Sequence, residues 1–196
     1  MTIMEQQQQQ VQARRKAEGA KRDRSANLMR GVVVDKLVIN IGSGSEENIH
    51  ANARRLLELI TGRKPADALS KKRNPSFKIS KGQKIGAFVT IRGEAVPPLA
   101  KRLFAALDDK IRESCITDNS VSFGIKEYID ISGIKYDPKI GMLGMNVNLS
   151  IKRKGDRVRL RKRRNSGVPD RHRVVGREEI TAFLEKEYNV KVLNEA

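Results

Sequence analysis

A chain of 196 residues is long enough for one full hydrophobic core, and nothing in its length demands two domains. Forty Lys and Arg against 23 Asp and Glu leave a net charge of +17 and a pI near 10.3, a self-repelling surface that fits a polyanionic partner, nucleic acid first. The sequence lacks an apolar run near the ~18 residues of a membrane span, a signal-peptide core and a long cationic amphipathic helix, so a cytoplasmic protein with no membrane partner is expected.

The single Cys115 excludes intramolecular disulfides and cysteine-cluster zinc sites, and His50 and His172 have no further ligands at metal spacing. No metal and no cofactor are expected. Tryptophan is absent and aromatics make up 4% of the residues, which argues against a single-strand binder built on stacking platforms.

Residues 1–26 hold a glutamine run and mixed charge with almost nothing to bury, the composition of a disordered or loosely helical tail. A single α+β domain is expected over 27–196. "VVVDKLVINIG" reads as a strand with Leu37, Val38, Ile39 and Ile41 buried. In "SGSEENIHANARRLLELITG", Ile49, Ala53, Leu56, Leu57 and Ile60 recur at helical spacing, Ser43 and Glu46 stand in capping-box register, and Gly62 marks the stop. The preceding "NIGSGSEEN" lacks the glycines and lysine of the dinucleotide and triphosphate loops, so it reads as a strand-to-helix turn.

"SKKRNPSFKISKGQKIG", Ser70 to Gly86, carries six cations and no acid, with "NPS" and "KGQ" punctuating two short extended pieces. Alternation of Ile85, Ala87, Val89 and Ile91 predicts a half-buried strand. A second helix is expected from Pro97, with Leu99, Leu103, Ala106, Leu107 and Ile111 as its apolar stripe. "SVSFGIKEYI" reads as a strand. The clearest period-two signal is "GMNVNLSIK", where Met145, Val147, Leu149 and Ile151 oppose Asn146, Asn148, Ser150 and Lys152. From Lys152 to Arg173, eleven of 22 residues are Lys or Arg, with Gly155, Gly167 and Pro169 opposing regular structure. A closing helix places Ile180, Phe183, Leu184 and Tyr188 on one stripe. The succession predicts α+β, a mostly antiparallel sheet with helices packed on one face.

No nucleophile with a base, convergent carboxylate pair or cofactor loop is visible, so a binding module is favoured over an enzyme. The two basic segments suit a phosphate backbone, and folded or duplex RNA best of all, since it is recognised through shape, phosphates and 2′-hydroxyls with few aromatics. In the absence of RNA both segments are expected to lack order. Two other classes remain open on composition: a duplex-DNA regulator, which should show an Arg- and Asn-rich recognition helix, and an RNA-modifying enzyme, which should show a catalytic dyad.

"KLVINIGSG", "GRKP", "KISKGQKIGAFVTIRGE", "FGIKEYIDISGIKYDPKIGMLGM" and "PDRHRV" together resemble large-subunit ribosomal protein five, the L-five type, in its archaeal and eukaryotic branch and most like the archaeal form. The similarity runs from about Asn27 to Val192. It implies a non-catalytic ribosomal protein of the central protuberance that binds 5S rRNA and touches the elbow of the P-site tRNA. By that resemblance Asn27, Arg30, Lys36, Asn40, Arg63, Phe77, Thr90 and Arg92 are expected at 5S rRNA. Lys71, Lys72, Arg73, Asn74, Ser76, Phe77 and Lys78 match a mobile loop that reaches tRNA. Arg157, Arg159, Arg161, Arg163, Arg164, Arg171, His172 and Arg173 are expected at other RNA, 23S rRNA included. Neighbouring proteins of the central protuberance, and a small-subunit protein across an intersubunit bridge, are further implied partners. Departures from the family pattern are Arg63 for a usual glutamine, Tyr128 for a common histidine, Asn146 for an expected aspartate, and the loop "KKRNPSF", which differs from the usual residues around its aromatic.

Overall fold

The computed structural model describes residues 27–193, so the expected N-terminal tail lies outside the described residues. Contacts divide the chain between Gly31 and Val32. In the first unit Leu28–Arg30 form a single 3₁₀ turn, whose N-cap Asn27 accepts a hydrogen bond from the Met29 amide at 3.0 Å.

In the second unit β1 (Val32–Gly42) leads to α1 (Glu47–Thr61), then β2 (Ala66–Leu69) and β3 (Lys84–Ile91). After α2 (Val96–Ala105) come β4 (Lys110–Arg112), β5 (Ile116–Thr117), β6 (Ser120–Ile125) and β7 (Met145–Arg153). The basic segment holds α3 (Arg157–Leu160) and α4 (Asp170–Arg173), and α5 (Arg177–Tyr188) and β8 (Lys191–Leu193) follow. Six strands pair in the order β2-β3-β1-β7-β6-β5, every pair antiparallel, while β4 and β8 pair in parallel apart from them.

Alternation along each central strand sends one set of side chains into the core: Leu37, Ile39 and Ile41, Ala87, Val89 and Ile91, and Met145, Val147, Leu149 and Ile151 are all buried. Helices α1 and α2 cover that face with Leu56, Leu57, Leu103 and Phe104. Phe104 stacks near Phe123 of β6 at 5.1 Å and meets Tyr188 of α5 edge-on at 5.2 Å, which ties three elements together. The α+β expectation is correct.

Several local expectations are not met, each for a tertiary reason. The Ser43 capping box does not form, because the Ser43 amide continues the sheet by donating to the Ile85 carbonyl at 3.0 Å. The helix starts later, with Glu46 as an N-cap that makes no side-chain cap bond, and ends as expected at Gly62 in the left-handed region. On α1 it is His50, not Ile49, that lies in the buried stripe. The second helix stops at Ala105 and reverses through Asp108 and Asp109, both at φ 55°, so Ile111 belongs to β4 instead. The segment 152–173 contains two short helices where irregular chain was expected.

Candidate nucleic-acid interface

The sheet face opposite the helices is built by the strands' other registers. Across it, Thr90 of β3 lies opposite Val38, which pairs with Asn148 of β7, which pairs in turn with Ser122 of β6. The row on one side of it runs Phe88, Asn40, Asn146, Gly124, and the row on the other side runs Lys36, Ser150, Ser120. Backbone at Arg92 is still extended, so its side chain continues outward beside Lys36. All these positions are exposed or half-buried. At ~4.8 Å between strands and ~3.4 Å per residue, the patch spans about 15 by 15 Å.

The surface is therefore polar and cationic with amides and hydroxyls between the charges, the chemistry that meets phosphate oxygens and 2′-hydroxyls. It gathers Lys36, Asn40, Thr90 and Arg92, four residues expected at 5S rRNA. It also carries Asn146 and Asn148, the polar strand face that the sequence offers for such hydrogen bonds, and it adds Ser122 and Ser150, for which the alternation in "SVSFGI" and "NVNLS" was the available signal. Its one acid is Asp35, the unpaired residue of a bulge between Val34 and Lys36. Lys152 donates to Asp35 Oδ1 at 2.6 Å, and Arg92 Nη1 reaches both carboxylate oxygens at 3.5 and 3.4 Å. Burial pushes the Asp35 carboxyl up, but the Lys152 hydrogen bond and the charges of Lys152, Arg92 and Lys36 outweigh it and hold it below the usual carboxylate value.

Two other expected residues of the second unit, Arg63 and Phe77, lie off this face. Arg63 is exposed on the turn after α1, off the sheet face. Asn27 and Arg30 belong to the separate N-terminal unit. Phe77 is 68% exposed and sits in the arm that joins β2 to β3, so it does not join the sheet-face group.

That arm leaves the end of the sheet where Gly42 faces Gly86, whereas Arg92 and the basic segment after Arg153 leave the other end. Its neck is closed by Ser70 N–H to the Gln83 carbonyl at 2.8 Å and Gly82 N–H to the Ser70 carbonyl at 2.9 Å. Asn74 and Ile79 exchange two backbone bonds at 2.9 and 3.0 Å around a 3₁₀ turn over Pro75–Phe77, and Lys78 takes a left-handed conformation. The arm is thus a projection whose backbone groups pair across its neck. Lys71, Lys72, Arg73, Asn74, Ser76 and Lys78 are all exposed on it, and none of its cations has an ion-pair partner among the described residues.

The basic segment is also rooted. Arg153, 8% exposed, donates from Nη2 to Glu179 Oε2 at 2.6 Å and from Nε to the Val174 carbonyl at 3.3 Å. Asn119 Oδ1 accepts from the Val175 amide at 2.8 Å. Between these roots, Arg157, Arg161, Arg163, Arg164, Arg171 and His172 are exposed or nearly so. Arg159 pairs with Asp156 at 3.6 Å and Arg173 with Asp170 at 2.6 Å, which leaves the segment strongly positive.

Beside the start of α1 a cavity of about 580 Å³ is lined by Ser45, Glu47, Asn48, His50, Gln83 and Lys84 among others. One acid and one lysine balance there, so "NIGSGSEEN" does not open onto a cationic phosphate cradle.

Two family models match the chain, one described as ribosomal protein L5 over residues 27–79 and one describing the C-terminus of the same ribosomal family over residues 84–190. "Large ribosomal subunit protein uL5" of Sulfurisphaera tokodaii is 36% identical over 170 residues, 86% of this chain and 96% of the relative. The protein of that name from Archaeoglobus fulgidus is 40% identical over 159 residues, 81% of this chain and 89% of the relative. That of Nanoarchaeum equitans is 39% identical over 166 residues, 84% and 98%. Matched by family models along both halves, and similar over more than four fifths of its length to archaeal relatives that are themselves spanned almost end to end, the chain belongs to the ribosomal protein L5 family.

Proposed function

We propose that this protein binds 5S rRNA through the helix-free face of its sheet and reaches the P-site tRNA with the basic arm over residues 70–83. Family membership makes the chain a structural, non-enzymatic constituent of the large ribosomal subunit, in the cytoplasmic ribosome. The observation that carries the finer reading is the convergence of Lys36, Asn40, Thr90 and Arg92 on one surface, with Asn146 and Asn148 beside them. Lys36 and Arg92 neutralise phosphates there, while Asn40 and Thr90 hydrogen-bond backbone or 2′-hydroxyl groups. The arm holds uncompensated charge about a strand's length away, which suits a ligand that arrives and leaves and whose sequence varies. The rooted basic segment serves further RNA, 23S rRNA among it. Exposed Ile129, Tyr136 and Met142 between β6 and β7 offer apolar contact to neighbouring proteins of the central protuberance or to a small-subunit protein across an intersubunit bridge.

A gel-shift titration against 5S rRNA, with tRNA and a DNA duplex of similar length as competitors at two salt concentrations, tests this. Preference for 5S rRNA that survives raised salt is expected; equal binding to all three, lost together, would leave charge alone. Replacing Lys71, Lys72 and Arg73 with alanine should weaken tRNA binding and flatten its salt slope by about 2–3 while sparing 5S rRNA. Lys36→Ala with Asn40→Ala should do the reverse. Equal loss of both ligands in either variant would end the division of labour.

A further inference from the structure

An acid on a phosphate-binding face is anomalous on electrostatic grounds alone, since it repels the ligand that the surrounding cations attract. Asp35 is nonetheless held there by the course of the backbone. The bulge leaves it unpaired in the β1–β7 register, between Val34, opposite Ile151, and Lys36, opposite Ser150. Its carboxylate turns to the side where Lys152 and Arg92 stand, and contacts both at once, one oxygen with Lys152 at 2.6 Å and both oxygens with Arg92 at 3.4 to 3.5 Å. Arg92 is itself the first residue beyond β3, and Lys152 lies next to the end of β7, so without Asp35 each long side chain would sample many rotamers at the margin of the sheet.

We infer that Asp35 is a positioning residue for RNA: it bridges Arg92, just beyond β3, and Lys152 of β7 across β1, fixing two phosphate-binding cations at one end of the face. Asp35 touches no ligand in this role. The group of Asp35, Lys36, Arg92 and Lys152 keeps a net charge of +2, enough to attract a phosphate, and the ordering cost of the two cations is met in the free protein instead of on binding. A phosphate that approaches this end finds Arg92 with its remaining guanidinium N–H groups directed by the bridge. The inference deepens the proposed sheet-face reading and rests on it.

The test uses Asp35→Asn and Asp35→Glu in the full chain, titrated with 5S rRNA across a range of salt, with thermal unfolding of each free protein as a fold control. Positioning predicts that Asp35→Asn binds about five- to ten-fold more weakly at fixed salt, although it is one charge more positive, and that Asp35→Glu recovers much of the loss. Tighter binding by Asp35→Asn with a steeper salt dependence would overturn the inference, because it would show the acid acting only by repulsion. Unchanged affinity would overturn it equally. Arg92→Ala, titrated in parallel, separates the two levels: if it too leaves 5S binding untouched, the sheet-face reading fails, not merely the role of Asp35.

Discussion

At the scale of single residues, a close backbone approach limits what β3 tolerates at one end of the sheet. Gly86 is opposite Gly42, and a Cβ on it would lie 2.6 Å from the Ile41 carbonyl oxygen, a backbone atom that cannot swing away. Gly86→Ala is expected to lower stability by about 1–3 kcal/mol, while Gly42→Ala, with open space around its Cβ, stays within about 0.5 kcal/mol. Urea unfolding of the two variants checks this, and equal values would show that the strand spacing yields more than the geometry implies. Tyr128, one of the departures from the family pattern, is fully buried, and its hydroxyl accepts from the Asp137 amide at 3.0 Å. That residue supports the chain between β6 and β7 from inside the core. Asn146, another departure, lies exposed in the outward row beside Asn40, where an amide avoids placing a second acid on the surface.

Among elements, the basic segment is the informative one. Its composition suggests a free cationic chain, yet Arg153 and Asn119 tie its exit to Val174 and Val175 and to α5. Arg153 points inward from β7 while Lys152 points outward, so one strand end both anchors the segment and arms the sheet face. Arg153→Met keeps much of the buried stem and removes the charged bonds. The expected cost is about 1–2 kcal/mol, between an exposed and a buried pair because Glu179 is itself half exposed. Limited trypsinolysis should then cut faster within 154–173 and at an unchanged rate within 71–81. No change in the first rate would mean that the Asn119 contact alone holds the root. The arm over 70–83 poses the opposite case, since its order comes from its own backbone ladder and not from side chains reaching the core.

For the whole molecule the dominant quantity is +17, and acid adds to it by protonating carboxylates. Asp67 of β2 joins Arg54 and His50 of α1 at 3.1 and 3.3 Å, and Lys84 of β3 at 3.3 Å. Burial raises its carboxyl, but the Lys84 hydrogen bond and the charges of Arg54, Lys84 and His50 bring it below the ordinary 3.8. Asp35 is lowered in the same sense. A depressed folded value means that the contribution is complete above the unfolded value and is lost as pH falls through the folded one. Melting temperature should therefore be nearly level from neutral pH to about pH 5 and drop below about pH 4. Asp67→Asn should melt lower at neutral pH and lose less on acidification. Parallel curves for the two proteins would exclude Asp67 as a source of the acid sensitivity.

The polar faces, the cations and the core stripes could be read directly from the chain, because pleat and helix repeat are local and each residue's side follows from its neighbours. That is why Asn146 and Asn148 were legible as outward and Leu149 as inward before any pairing was known. The family pattern, too, is written in contiguous motifs. Strand order was not legible: β3, β1, β7 and β6 lie side by side only through hydrogen bonding between segments far apart in the chain. The same holds for the parallel pairing of β4 with β8, for the burial of His50 against Asp67, and for the bulge that turns Asp35 toward Arg92 and Lys152. Local periodicity can say which side of a strand a residue takes. Which residues then share a surface depends on register between distant strands, and that is set by the packing of one core.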